Sequence, residues 1–248
     1  MITQLVITDL TRMQHGHICI AGYDKDQNCI RLVQPPPGVS ELSIIDGHQA
    51  TVFPFAVVEV NLLQHRPDPP HIEDHLYDPP SLRFLRRAQE DRKQTILGWS
   101  LFQTVTELFG QPILHDPGYY IPAGSGVRSL GTIIPHAIKQ VEYKEGFEGA
   151  WDYRIIFKDG ESWYNLKITD LTWHYYCDRL RATGREPQEI ASDLTQMLKH
   201  RSVFLRIGLS RGWIKFPGRC FLQINGIHTL PDYLAGSNFV DLMGVSRG

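Results

Sequence analysis

Short strand-like runs separated by turn residues and prolines constrain the fold of this chain more than any other feature of its sequence. Aliphatic residues dominate at positions 5–8, 18–23 and 29–33, and a polar turn at 24–28 separates the last two runs. Runs of this length, bounded by turn residues, are typical of an antiparallel meander. The prolines at 35–37 end the third run, because proline has no amide hydrogen to donate to a ladder. The first third of the chain is therefore predicted to form a sheet.

Helical periodicity interrupts the strand-like runs in two regions. Ser81 is a plausible N-cap for a helix carrying Leu82, Leu85 and Ala88, and a second apolar set at helical spacing ends near Gly110. Strand patterning then returns. Nearer the C terminus, apolar spacing predicts helices at about 172–183 and 187–199, the second beginning with a proline. The pattern as a whole predicts an α+β, mostly β protein.

The pentapeptide Ile-Thr-Asp-Leu-Thr occurs twice, at residues 7–11 and 168–172. An exact repeat raises the possibility that two half-units share an ancestor. The flanking sequences diverge, since a hairpin pattern follows the first copy and a helical pattern follows the second. We predict that each copy ends a strand and satisfies loose backbone donors, with Asp170 or Thr172 as a helix N-cap. Strand-end aspartates are more often caps than catalytic groups, so we expect any chemistry to lie elsewhere.

Charge and cysteine content limit the possible functions. The 25 lysines and arginines against 27 acidic residues give a formal charge of −2, so any site for a polyanion has to be a local patch. The four cysteines are scattered without ligand spacing, which argues against a zinc ribbon or a disulfide framework. No apolar run is long enough to span a bilayer. We expect a cytoplasmic protein with no membrane partner.

Three segments together resemble the bacterial dual OB-containing domain family. They are "ITDLTRMQHGHICIAGYD…CIRLVQPPPG", "PPHIEDH…DPPSLRFLRR" and "VFLRIGLSRGW…RCFLQINGIHTLPDYL", and they reach from Ile7 to Leu234. The resemblance implies two OB-like β-barrel halves with a helical insertion between them and a nucleic-acid role. On that basis we place an N-terminal half at 1–115, with the insertion at about 81–110, and a C-terminal half at 116–248.

An OB-type barrel would bind its ligand on strands two and three, where arginines track phosphates and aromatic rings stack on bases. The alternative is that these charges are solvated side chains on strand faces and that the tryptophan belongs to the core. A basic run at residues 83–93, on the predicted helix, is more typical of a salt-bridged solvated face than of a phosphate site. The candidates for the ligand face are Arg12, His17 and Arg31 in the first half, and Arg206, Arg211 and Trp213 in the second.

The densest polar cluster is "HRPDPPHIEDH" at residues 65–75. His71, Glu73 and Asp74 are candidates for acid-base catalysis, and His65, His71 and His75 are candidate metal ligands. Prolines on both sides leave barely one helical turn to hold such a geometry. The alternative is a loop whose carboxylates cap the next helix and orient arginines.

The sequence therefore favours a module that binds nucleic acid, in particular a single strand, or a nucleotide. One alternative is a metal-assisted or acid-base enzyme acting through His71, Glu73 and Asp74, and another is an adaptor that binds a second protein. No phosphate-binding loop, nucleophile elbow or dinucleotide fingerprint occurs, which argues against enzymes of those classes. No cofactor is predicted, although the histidine cluster leaves a divalent metal open.

Overall fold

A computed structural model describes residues 1–146, 149–212 and 214–243 of the chain. Two large sheets account for most of the strands, and short helices lie between and after them. The α+β, mostly β class predicted from the sequence is confirmed. Within the described residues, no helix has both the length and the apolar character needed to cross a membrane.

The first sheet contains six strands from the N-terminal third of the chain. A two-stranded ribbon, β5 (Ile45–Asp46) and β6 (Gln49–Ala50), lies in the connection that precedes the fifth of these six strands. In chain order the six strands are β1 (Ile2–Arg12), β2 (His17–Tyr23), β3 (Cys29–Val33), β4 (Val39–Ser40), β7 (Ala56–His65) and β8 (Asp74–Arg87).

The first sheet closes on itself through its first strand. The strand order is β1-β7-β8-β3-β2-β4, and β1 pairs with β2 as well as with β7. Residues 2–6 of β1 pair with β7, whereas residues 6–12 pair with β2. All pairings among the five main strands are antiparallel except β3 with β8, which is parallel.

The second sheet has nine strands, and two of them form a small hairpin that attaches to the last strand. The main order is β13-β14-β15-β17-β16-β12-β9, and the β10–β11 hairpin joins through β11 and β17. In chain order the strands are β9 (Leu101–Phe102), β10 (Leu114–His115), β11 (Tyr119–Pro122), β12 (Leu130–Ile133), β13 (Ala137–Glu145), β14 (Trp151–Lys158), β15 (Trp163–Ile168), β16 (Ser202–Leu209) and β17 (Arg219–Leu230).

The two sheets share one pattern of connections. In each, three strands pair antiparallel in succession, the third is parallel to the last, and the last pairs with the strand before it. In the first sheet, β1 alone pairs with both β7 and β2. In the second sheet two strands share these pairings, because β12 pairs with β16 and β13 pairs with β14. A short break at residues 134–136 separates those two strands.

The two copies of the pentapeptide occupy different positions in this pattern. The first lies inside β1, the first strand of its sheet, and the second follows β15, the third strand of the other sheet. The copies contact each other, because Thr11 and Asp170 form an isolated β-bridge and the amide of Arg12 donates to the carbonyl of Thr169 at 2.7 Å. The repeat therefore joins the sheets without marking equivalent places in them.

The helices are α1 (Lys93–Gly98), α2 (Val105–Phe109), α3 (Leu171–Ala182), α4 (Pro187–Lys199) and α5 (Phe239–Leu242). The helix predicted to start at Ser81 is wrong, because β8 runs through residues 81–87. The Ser81 hydroxyl instead accepts the amide of Asn61 at 2.8 Å, where a β-bulge containing Pro79 and Pro80 interrupts the ladder to β7. The predicted helical insertion is thus reduced to α1 and α2.

Two hydrophobic cores fill the sheets, and each core takes residues from outside its own stretch of chain. Val105, Leu108 and Phe109 of α2 are buried in the core of the second sheet, although they lie in the stretch 1–115 that the sequence analysis assigns to the N-terminal half. Conversely, Leu171 and Phe239 are buried in the core of the first sheet. The chain returns to the first sheet after completing the second.

Candidate nucleic-acid interface

A buried ion network joins the loop before β8 to the second sheet. Arg31 on β3 is 6% exposed and donates from Nε to Asp74 at 2.7 Å. Its Nη2 donates to the hydroxyl of Ser129 at 2.9 Å, and Glu73 accepts from the amide and the hydroxyl of Ser129, both at 2.8 Å. The other oxygen of Asp74 pairs with Arg211. The charges of Arg31 and Arg211, which were predicted to bind a ligand, are therefore balanced by those of Glu73 and Asp74, which were predicted to be catalytic.

The candidate catalytic residues have almost no contact with solvent. His71, Glu73 and Asp74 are 2%, 6% and 2% exposed. Burial, together with the charges of Arg31 and Arg211, lowers the pKa of His71 to about 2, so its ring is neutral, and its Nδ1 has no partner among the described residues. The structure favours the alternative of a loop whose carboxylates orient arginines, although a strand, not a helix, follows that loop.

Two of the three predicted metal ligands, His65 and His75, lie against each other where β7 ends and β8 begins. The rings of His65 and His75 stack with centroids 4.5 Å apart, and each donates to a loop carbonyl, that of Ile72 at 2.7 Å and that of Glu73 at 2.9 Å. Throughout the described part of the chain, no three His, Cys, Asp or Glu side chains are arranged to hold a metal ion. The histidines instead fix the conformation of the loop.

Arg206 on β16 lies in the interior rather than on a ligand face. Its side chain is 0% exposed and donates to both oxygens of Asp9 at 2.9–3.1 Å. It also donates to the hydroxyls of Tyr23 at 2.7 Å, Ser100 at 2.8 Å and Thr132 at 3.0 Å. Burial opposes the charge, but the carboxylate of Asp9 raises the pKa of Arg206 above its ordinary value. A phosphate cannot reach this guanidinium, which pairs with a buried carboxylate of the first sheet.

These two networks cover the face of β2 and β3 on which a ligand was expected. Ile30 and Leu32 point into the first core, so Arg31 between them projects from the opposite face. On that face Arg31 meets Ser129, and Tyr23 meets Arg206. The second half of the chain therefore occupies the expected ligand face of the first sheet.

The other predicted ligand residues that the structure describes, Arg12, His17 and Arg211, also contact groups of the protein. The Arg12 guanidinium lies 4.6 Å above the ring of Tyr175 and 3.8 Å from Glu41, and the Nδ1 of His17 donates to the carbonyl of Gln14 at 3.2 Å. The side chain of Arg211 is 51% exposed and also pairs with Asp68 at 3.2 Å. Trp213 lies outside the described residues.

The corresponding face of the second sheet is open to solvent. Tyr164, Leu166 and Ile168 of β15 are buried in the second core, so the side chains between them project outwards. In the strand register, Lys167 lies opposite Arg154 on β14 and opposite Gln223 on β17. Trp163, at the start of β15, is 47% exposed and lies opposite Lys158 of β14 in the strand register.

Aromatic rings continue this face across β11 and β17. Tyr119 packs against Tyr164 on the inner side at 5.1 Å, so Tyr120 points outwards, where its ring centroid lies 5.8 Å from that of Phe221. The Arg219 guanidinium lies 4.5 Å above the ring of Tyr120. We call this surface the open face; its members are Tyr120, Arg154, Lys158, Trp163, Lys167, Arg219 and Phe221.

The cations of the open face are positioned by their neighbours. Arg154 donates to the side chain and the carbonyl of Asn165 at 2.8 and 3.0 Å. Arg219 lies 3.7 Å from Asp116 and stacks on aromatic rings, and its Nη1 has no partner among the described residues. The unpartnered Nη1 of Arg219 is buried, so this residue contributes its charge and its stacked position to the face. Guanidinium groups fixed at a surface form directed hydrogen bonds to phosphate oxygens, and stacked rings offer surfaces for bases.

The sequence contains an alternation that predicts the open face, although it matches no functional motif. In "WYNLKI" the odd positions Trp163, Asn165 and Lys167 alternate with apolar residues, which is the pattern of a strand with one buried and one solvated side. That pattern places a tryptophan and a lysine on one side of a strand. The pairing of β15 with β17, and that of β17 with β11, is not visible in the sequence, because these pairings join residues roughly 55 and 100 positions apart.

A comparison with family models agrees with this arrangement of two similarly connected sheets. No curated protein matches the chain. A single family model spans both sheets and most of the intervening helices, from β1 to β17. The chain belongs to the family described as the dual OB-containing domain, whose model matches residues 4–227.

Proposed function

We propose that each sheet is one OB-like barrel. In the first, β1, β2, β3, β7 and β8 form the barrel, and in the second β12 and β13 together supply its first strand. Three observations support this: the shared pattern of connections, the parallel pairing of the third and last strands in each sheet, and the match to a dual OB family. Helices α1 and α2 then lie in the connection between the barrels.

We propose that the protein is a binding module for single-stranded nucleic acid and that the strand lies on the open face. One observation carries the proposal: the second barrel leaves its strand-two and strand-three face exposed, with an aromatic ring and several cations on it, whereas the same face of the first barrel is sealed. Exposed rings stack on bases of any sequence, and the cations balance the phosphates.

A local site of this kind is compatible with the slightly negative overall charge. Four cations, Arg154, Lys158, Lys167 and Arg219, lie on the open face, although the chain carries a formal charge of −2. Phosphate contacts contribute affinity only where the strand touches the protein, so the net charge affects the approach more than the bound state. The four cysteines are free thiols, which supports a reducing, cytoplasmic environment.

The test is fluorescence anisotropy of labelled single-stranded DNA and RNA across a salt series. We expect the logarithm of the binding constant to fall linearly with the logarithm of salt concentration. Lys167→Ala should reduce that slope by about 0.7, the value for one phosphate contact on a single strand. Lys25→Ala, which removes an exposed lysine from the β2–β3 turn, is the matched control and should leave the slope unchanged.

Trp163→Ala separates stacking from electrostatics. We expect it to weaken binding by about 1–3 kcal/mol without changing the salt slope, and Trp163→Tyr to restore most of the affinity. Absence of binding to every oligonucleotide at the lowest salt concentration would contradict the proposal and favour the adaptor alternative. Binding that is equally tight in wild type, Lys167→Ala and Trp163→Ala would place the strand elsewhere on the protein.

A further inference from the structure

A pocket of about 200 Å³ lies in the seam between the two sheets. Its wall is built from the end of β8, from α1, from the first turn of α3, from β17 and from the segment that precedes α5. Pockets for drug-sized molecules occupy roughly 300–1,000 Å³, so the interior of this one holds one ring-sized group, and any further part of the same ligand has to lie at its rim. None of the residues of the open face lines it.

Two polar groups inside the pocket have unused hydrogen-bonding capacity. The Thr172 side chain is 1% exposed, and its hydroxyl has no partner among the described residues. The carbonyl of Thr8 accepts from Nε2 of His228 at 2.9 Å, so the proton is on Nε2 and Nδ1 is an acceptor. Burial lowers the pKa of His228 to about 4, which keeps Nδ1 unprotonated at neutral pH. Buried polar groups without partners are rare in proteins and call for a partner from outside.

Cations and aromatic rings complete the pocket. Lys93 is 8% exposed, pairs with Glu90 at 2.8 Å and with Asp232 at 3.3 Å, and lies 5.0 Å above the ring of Phe55. At the rim, Arg87 donates to the carbonyl of Gly236 at 2.7 Å and has no carboxylate partner among the described residues. The rim arginine is therefore available to an anion, while the interior presents ring surfaces, an acceptor and a hydroxyl. The carboxylates of Asp170 and Asp232 also line the pocket, and both are bonded to groups of the protein, Asp170 to three amides and Asp232 to Lys93 and two amides.

We propose that this pocket binds a nucleoside monophosphate, with the base among the aromatic rings and the phosphate at Arg87. A nucleobase is a flat ring whose edge carries both donors and acceptors, which matches Phe55 together with the Thr172 hydroxyl and His228 Nδ1. Arginine forms paired hydrogen bonds to phosphate oxygens. The pocket is a second site and does not rest on the proposed function of the open face.

The test is isothermal titration calorimetry of the full chain with AMP, GMP, CMP and UMP and with the four corresponding nucleosides. We expect saturable binding of at least one monophosphate. Arg87→Ala should weaken that binding about tenfold and leave nucleoside binding unchanged. Arg86→Ala removes the same charge from the opposite side of β8 and should leave both unchanged, because side chains alternate along a strand.

Thr172→Val keeps the shape of the side chain and removes only the hydroxyl. Because that hydroxyl has no partner in the protein, the melting temperature should not fall, whereas ligand binding should weaken about tenfold, as for the loss of one buried hydrogen bond. The proposal is overturned if none of the eight probes binds saturably, or if Thr172→Val binds as tightly as wild type. Oligonucleotide anisotropy on Thr172→Val reports the open face separately, so failure of either site is distinguishable from failure of the other.

Discussion

At the scale of single residues, the contact between the sheets depends on charged side chains that are buried and paired. Arg206 and Asp9 are 197 positions apart in the chain and have almost no exposed surface. A buried ion pair is costly to break, since removing one partner leaves the other charge without compensation. The exposed pair of Arg83 with Glu59 has a similarly short contact, 2.5 Å, but is surrounded by water.

We expect Arg206→Met to reduce the free energy of unfolding by about 3–5 kcal/mol, because it leaves the Asp9 carboxylate buried and unpaired. Arg83→Met, the matched control, should cost no more than about 1 kcal/mol. Urea unfolding followed by circular dichroism measures both. Equal losses in the two variants would show that the buried pair does not hold the sheets together. Arg206→Met combined with Asp9→Leu should recover part of the loss.

Buried neutral histidines predict a loss of stability in acid. Burial lowers the pKa of His174, and that of His228, to about 4. The unfolded chain takes up these protons below pH about 6.5 and the folded chain does not, so each histidine lowers stability by about 1.4 kcal/mol per pH unit between about 6.5 and 4. Burial raises the pKa of Asp170 to about 7, which acts in the opposite direction over an overlapping range.

The variant His174→Gln isolates this effect, since glutamine can still donate to the carbonyl of Ile168 but takes up no proton in this range. Between pH 7.5 and pH 5 the variant should lose about 2 kcal/mol less than wild type, and the Asp170 contribution cancels because both proteins contain it. Urea unfolding at the two pH values is the measurement. Identical losses would mean that His174 is protonated in the folded state.

Residue types alone could not reveal these roles. Arginine is mostly found at protein surfaces, so Arg31 and Arg206 were reasonable candidates for a ligand face. Their burial depends on carboxylates that are distant in the chain, and no local pattern encodes such a pairing. The same holds for Glu73 and Asp74, whose clustering with histidines suggested catalysis but whose partners are Arg31, Ser129 and Arg211.

At the scale of elements, the two long helices start in different ways. Asp170 caps α3 by accepting the amides of Thr172 and Trp173 at 2.8 and 3.2 Å, and its other oxygen accepts the amide of Ile227 at 2.8 Å. Glu186, which precedes α4, makes no side-chain capping bond. Asp170 therefore secures both a helix start and the neighbouring strand β17.

We expect Asp170→Ala to cost about 2 kcal/mol or more, the upper end of the range for an N-cap, because three amides lose their acceptor. Glu186→Ala should change stability by less than about 0.5 kcal/mol. Thermal unfolding of the two variants under identical buffer conditions measures the contrast. A cost for Glu186→Ala as large as that for Asp170→Ala would contradict this account of the caps.

Local periodicity predicted α4 better than β8, for a physical reason. In α4 a proline in the first turn and apolar residues three and four apart act within the segment itself. In β8 the spacing of Leu82, Leu85 and Ala88 fits a helix, but the segment makes its ladder bonds to β7, more than twenty residues earlier, and a bulge at the prolines disrupts its alternation. Tertiary pairing outweighs helical spacing there.

At the scale of the whole molecule, the core of each sheet includes residues from outside that sheet's own stretch of chain. The core of the first sheet contains Leu171 and Phe239, and the core of the second contains residues of α2. The resemblance indicated the dual OB-containing family correctly, and the residue patterns indicated the mostly β class. It could not indicate that the second half of the chain covers one face of β2 and β3, because that depends on contacts between residues about 100 to 200 positions apart.

We expect one cooperative unfolding transition. Three tryptophans report on the second sheet, which contains Trp151 and Trp163 and contacts Trp173, and Trp99 packs against Tyr23 of the first sheet. Far-ultraviolet circular dichroism reports on all strands. The two urea curves should coincide, and Phe239→Ala, a substitution in the first core, should shift both by the same amount. A fluorescence midpoint unchanged by Phe239→Ala would show that the two sheets unfold independently.

The late return of the chain to the first sheet has a consequence during protein synthesis. The last strand of that sheet ends at Arg87, yet its core is completed only by Phe239. At about 5–20 residues per second, a ribosome needs roughly 8–30 s to cover the distance between them. Throughout that interval the nascent strands expose apolar surface, so chaperones that hold unfinished chains should determine how much of this protein reaches its folded form in a cell.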